Sequence, residues 1–92
     1  MTDFMTLSGD AEVAEITVGE TAQIAGKTLK DVKENGLLKR EMLVVTIERD
    51  GRVISPQGET TIEPGDIVTL LSPDGIDTDV HDIFERASKE EV

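Results

Sequence analysis

The 92 residues suffice for one domain with a modest core, and the 20 Asp and Glu against 9 Lys and Arg set the net charge at −11. That charge opposes binding to a phosphate backbone or an anionic membrane, so no nucleic acid partner is expected. Two Phe with no Trp, Tyr or Cys leave a core of Val, Ile and Leu, and exclude aromatic stacking on bases, disulfides and thiolate chemistry.

The first ten residues, MTDFMTLSGD, mix small polar residues with isolated Phe4, Met5 and Leu7, and read as an N-terminal arm that orders only if docked. They lack the basic start and apolar run of a signal peptide, and no stretch approaches the roughly 18 apolar residues of a membrane span. A soluble, cytoplasmic chain without direct membrane insertion is expected. Its acidity also suits a high-salt, halophilic cytoplasm, because self-repulsion weakens as the Debye length falls from about 10 Å at 0.1 M to about 3 Å at 1 M.

From Ala11 to Val18, Ala14, Ile16 and Val18 alternate with Glu15 and Thr17, which predicts a strand. Thr28 can cap a helix with Asp31 in its first turn, and Gly36 can close it, so a short helix is expected over 28–35. Met42 to Arg49 opens with four apolar residues, as a strand buried on both faces does, and then alternates with Ile47 inward and Glu48 outward. Asp50-Gly51 predicts a two-residue type I′ hairpin into Val53 and Ile54, which Pro56 ends. Thr60 to Ile62 is predicted to pair with Asp66 to Leu71 across a type II turn at Pro64-Gly65, making an antiparallel meander. Asp77 or Thr78 can then cap a second helix with Val80, Ile83, Phe84 and Ala87 on one face, and Arg86 and Lys89 near its negative end. The expected fold is therefore α+β, a small, mostly antiparallel sheet of four to five strands with a helix after the first strand and a C-terminal helix.

Little in the chain points to chemistry. His81, the only histidine, lies among Asp77, Asp79 and Asp82 and reads as a surface cap cluster in preference to a metal site. The phosphate loops G-x-G-x-x-G and G-x-x-x-x-G-K-[ST] are absent, and Ala25-Gly26-Lys27-Thr28 reproduces only the tail of the second. No nucleophile stands with a base, so no enzyme and no required cofactor is expected. Lys39 and Arg40 are the adjacent basic pair before the apolar strand, either solvated beside Glu34 and Glu41 or able to meet an anionic ligand. Met42 to Val45 is longer than one small sheet covers, which points to a dimer face beside the core.

The succession of an acidic first strand at 11–18, Gly26-Lys27-Thr28-Leu29, the strand and hairpin MLVVTIERDG and the turn Pro64-Gly65-Asp66 resembles the TrkA-C, or RCK-C, domains. The resemblance covers residues 11–72 and implies the C-terminal regulatory module of potassium channels, transporters or cation antiporters. It implies a homodimer, associated with the membrane through its transporter, in which ligand binding couples to gating. Such modules usually follow a nucleotide-binding Rossmann domain, and this chain has none. Some relatives bind cyclic di-AMP across the dimer through an Asp-x-Arg step, an Asn in the next strand and a later Pro. Pro56 corresponds to the last, whereas the loop 35–40 replaces the Asp-x-Arg step and Leu43 stands in place of the Asn. The resemblance thus places a ligand and dimer site at Met42, Leu43, Val44 and Pro56 with Lys39 or Arg40 at its rim, and a nucleotide or cyclic dinucleotide as its ligand. The alternative is a purely architectural dimerisation module without a small-molecule ligand. The expected organisation is an arm at 1–10, the domain at 11–88 and a tail at 89–92.

Overall fold

A computed structural model describes residues 2–6 and 8–85. Five strands and two helices follow in the order β1 (Thr2–Thr6), β2 (Glu12–Thr17), α1 (Leu29–Glu34), β3 (Leu43–Arg49), β4 (Arg52–Ile54), β5 (Ile67–Ser72) and α2 (Thr78–Glu85). The strands form one antiparallel sheet in the order β1-β2-β5-β3-β4, which is the α+β class expected from the sequence.

The alternation in β2 does what its pattern demands, burying Ala14 and Ile16 and exposing Glu15. Cross-strand register lines these up with their partners. Ala14, Leu70 and Val44 form one buried row and Ile16, Val68 and Ile47 the next. Val32 of α1, Val80 and Phe84 of α2, and Ile24, Leu38, Met42 and Ile62 from the connections complete the core over that one face.

Local chemistry sets the ends of these elements. Thr28 caps α1, its hydroxyl accepting from the Asp31 N–H at 3.1 Å. At the β3–β4 hairpin Asp50 (φ 55°) and Gly51 (φ 78°) are both left-handed, as a type I′ turn requires. Asp77 caps α2, its Oδ1 accepting from the Asp79 and Val80 N–H groups. The expected helical positions Arg86, Ala87 and Lys89 lie outside the described residues, as does the boundary at 88.

One expectation is corrected by the pairing. The stretch 60–62 is not the partner of β5. The Asp66 N–H does donate to the Glu63 carbonyl across Pro64-Gly65, but Thr61 bridges to Thr28, and the Ile62 N–H donates to the Lys27 carbonyl at 2.9 Å. β5 is thereby released to insert between β2 and β3, and the meander does not form. The first residues, read as an arm that orders only if docked, pair as β1 with β2 over Thr2–Thr6.

The connection from β2 to α1 also holds the far end of the chain. Its Gly19 and Ile24 N–H groups donate to the Phe84 and Ile83 carbonyls at 2.8 and 3.1 Å, satisfying acceptors that the last turn of a helix leaves open. A Cβ at Gly19 would collide with the Glu85 carbonyl oxygen, a backbone atom that cannot step aside alone. Gly19→Ala should therefore cost about 1–3 kcal/mol and accelerate amide exchange selectively in α2. Unchanged exchange there would show that this contact does not hold the helix.

Candidate functional site

All of the expected site residues but Pro56 sit where α1 hands over to β3. Gly36 turns the chain with φ 74°, and the Leu37 N–H returns to the Val32 carbonyl at 3.0 Å, which drops Leu38 into the core. The Lys33 ammonium then donates to the Arg40 carbonyl at 3.1 Å and to that of Met42. This fixes the backbone of the loop while leaving the Lys39 and Arg40 side chains exposed.

Those two basic groups diverge. Arg40 lines an open cleft of about 410 Å³ with Lys33 and Glu34. Lys39 faces the other way, into a cleft with Asp74, Asp77 and Glu12 and into a smaller hollow against Met42, Val80 and Ile83.

The apolar run divides as well. Met42 and Val44 are buried in the core of the protomer, at 2% and 8% exposure, whereas Leu43 and Val45 are exposed at 53% and 43%. Leu43 and Val45 face outward by the ordinary alternation of a strand, and a β-bulge then keeps Thr46 from turning inward and returns Ile47 to the core. Leu43 pairs with Leu71 and Val44 with Leu70, but the next pair is Thr46 with Thr69, so Val45 is an extra residue without a cross-strand partner. On the opposite side β4 reaches only from Arg49 to Ile47 of β3. Among the described residues, the first part of β3 therefore has an open edge, and half-buried Pro56 follows the end of β4 there.

Near the other end of β3 lies an ion pair absent from the sequence-based site. Arg49 Nε and Nη2 donate to the two carboxylate oxygens of Asp66, each at 2.8 Å, and Nη2 also donates to the Thr61 carbonyl at 2.8 Å. The Glu63 N–H donates to Asp66 Oδ2 at 2.9 Å. Asp66 is 1% exposed, and burial pushes its carboxyl up, but the Arg49 hydrogen bonds, the Glu63 N–H and the guanidinium charge outweigh that and hold it below its usual value. Donating to the Asp66 carboxylate in turn raises the guanidinium further above its ordinary value. A signal for this pair was present, since Arg49 lies two residues after Ile47 and hence on the inward phase of the strand.

His81 and Glu85 stand one helical turn apart at 3.8 Å. Among the described residues no group of three or more His, Cys, Asp and Glu is placed to hold a metal ion, and no helix is long and apolar enough to cross a membrane.

The model of the TrkA-C domain family matches residues 13–78, more than two-thirds of the chain. The chain belongs to the TrkA-C domain family. The match runs from β2 to the first residue of α2, so the open end of β3, the Arg49–Asp66 pair and the Pro-Gly-Asp turn all fall within the TrkA-C segment. No curated protein matches the sequence. TrkA-C domains are regulatory modules of potassium and other cation transport systems rather than catalytic ones.

The pair is unequal in its exposure, because the Arg49 side chain keeps 29% and can reach water. Arg49→Met strands a buried carboxylate and should cost about 3–5 kcal/mol at pH 7; Asp66→Asn should cost less. In the native protein the Asp66 carboxyl lies below its unfolded value of about 3.9, so its contribution is complete above that value and is lost as pH falls through the folded one. Without Arg49, burial raises the same carboxyl, and the folded variant takes up a proton first. Urea denaturation should therefore show the deficit of Arg49→Met narrowing from pH 7 towards pH 4. A constant deficit would mean that the pair is not the source.

Proposed function

We propose that this TrkA-C domain is a ligand-sensing, dimeric regulatory domain of a potassium transport system, acting in the cytoplasm beside a membrane channel, transporter or antiporter. The observation that carries the reading is the open end of β3. There an apolar pair, Leu43 and Val45, stands exposed beside an unpaired strand edge, and two-fold pairing of such edges is a common route to a dimer. Burial of Met42 and Val44 moves the dimer contact to Leu43, Val45 and Pro56, with Lys39 and Arg40 above it. A nucleotide or cyclic dinucleotide bridging the two protomers would meet the apolar residues with its bases and the basic pair with its phosphates.

One observation favours the purely architectural alternative. Lys39 and Arg40 line separate clefts, so within one protomer they do not converge on a phosphate. In a dimer that requirement falls on one basic residue from each protomer.

Light scattering should report a dimer that becomes monomeric in Leu43→Glu and Val45→Glu, while circular dichroism shows both variants still folded, because the two side chains are exposed in the single protomer. Val44→Glu, by contrast, buries a charge in the core and should unfold the chain. Because the chain carries −11, melting temperature should rise between about 0.1 M and about 1 M KCl. Calorimetry against nucleotides and cyclic dinucleotides, at high salt on the confirmed dimer, should find a ligand whose affinity falls in Lys39→Ala or Arg40→Ala. A dimer that binds none of them would end the sensing half of the proposal and leave the architectural one.

A further inference from the structure

The core and both helices lie on one face of the sheet, and none of the other described residues covers the opposite face. An antiparallel sheet with one wet face ordinarily shows polar residues there. Here one end of that face is apolar instead. Register places Met5, Val13, Leu71 and Leu43 side by side across β1, β2, β5 and β3. Met5 is 61% exposed, the half-buried Val13 and Leu71 follow, and Leu43 ends the row. The next row carries Glu15, Thr69 and Thr46, whose two hydroxyls hydrogen-bond at 3.0 Å. Beyond it come Thr17, Ile67, Glu48 and Val53.

Among the described outward positions, then, the face offers a straight apolar stripe, two exposed carboxylates at Glu15 and Glu48, and no lysine or arginine. A second copy would set these carboxylates against their own kind, in chains of net charge −11. Complementarity calls for apolar anchors flanked by positive charge. Segments of a membrane transport protein close to the cytoplasmic surface have that chemistry, because short cytoplasmic loops carry an excess of Lys and Arg. β1, which supplies Met5, precedes the segment matched by the family model, so the stripe is wider than that segment alone would make it.

We infer that the apolar end of the outward sheet face docks a lysine- or arginine-rich segment of the transport protein, with Met5, Val13 and Leu71 receiving apolar side chains and Glu15 pairing with a basic one. This rests on the proposed role in transport regulation, but not on the dimer.

The full chain can be titrated with a synthetic peptide alternating leucine and lysine, with a lysine–serine peptide of equal charge as control, and followed by amide chemical shifts. The expected result is saturable shifts centred on Met5, Val13, Glu15 and Leu71, at least about tenfold weaker binding of the control, and an affinity that declines with salt. Met5→Ser and Glu15→Lys, both at exposed positions, should each weaken the leucine–lysine peptide about tenfold, which corresponds to about 1.4 kcal/mol. Shifts spread over the helical face, equal binding of the control, or no effect of Glu15→Lys would overturn the inference. So would light scattering that shows Met5→Ser dissolving a dimer, since a second copy would then own the face. Loss of peptide docking with the Leu43 and Val45 dimer intact removes this inference alone; peptide docking by a strict monomer removes the dimer reading alone.

Discussion

The bidentate contact between Arg49 and Asp66 is the constraint on which the rest of the sheet depends. It joins the last residue of β3 to the residue that launches β5, and through Arg49 Nη2 it also holds the Thr61 carbonyl. Three segments separated by turns are thereby fixed at one point. A buried carboxylate costs several kcal/mol unless it is paired and hydrogen-bonded, and Asp66 meets that condition only when β5 starts beside the end of β3. Because Asp66 also accepts from the Glu63 N–H, the same side chain closes the turn and directs the strand that follows.

From that point the architecture divides the apolar residues between two surfaces. One face of the sheet receives both helices and the connections, and its two central rows are wholly buried. The other face is left uncovered by the described residues, and its one row that is apolar across four strands lies at the end where β3 begins. The division accounts for an acidic chain with so few aromatic residues maintaining a core: Val, Ile and Leu fill one side, and the charge is spread over loops, edges and the helix surfaces. A regulatory module has the same requirement, a rigid interior and an exterior that can bind without refolding.

Much of this was legible locally. Alternation in β2, the Thr28 cap, the Asp50-Gly51 hairpin, the turn at Pro64-Gly65 and the helical spacing of Val80 and Phe84 each depend on neighbours within a few residues, and each was readable from the sequence. What was not legible is the partner of β5. A turn next to two short apolar runs looks like a hairpin, yet Thr61 and Ile62 find their hydrogen bonds at Lys27 and Thr28, and only tertiary contact decides between the two. The candidate site was legible in part for a related reason. Four consecutive apolar residues indicate two buried faces, and alternation does set Leu43 and Val45 opposite Met42 and Val44, but the run does not say that the second face is left uncovered by the described residues. Lys39 and Arg40 are adjacent in sequence, but they lie in a tight turn that the Met42 N–H closes onto the Lys39 carbonyl at 3.1 Å, and their side chains reach different clefts.

The bulge itself has a consequence for how β3 can change over time. Leu43 with Leu71, Val44 with Leu70, Thr46 with Thr69 and Ile47 with Val68 would form an unbroken ladder if Val45 were absent, with every remaining side chain keeping its present face. Val45 is thus the one residue in β3 that could be deleted by a single lost codon without inverting the strand, whereas losing Leu43 or Thr46 would remove a member of the ladder. The sheet can spare it, and what such a deletion would alter is the outside of the molecule.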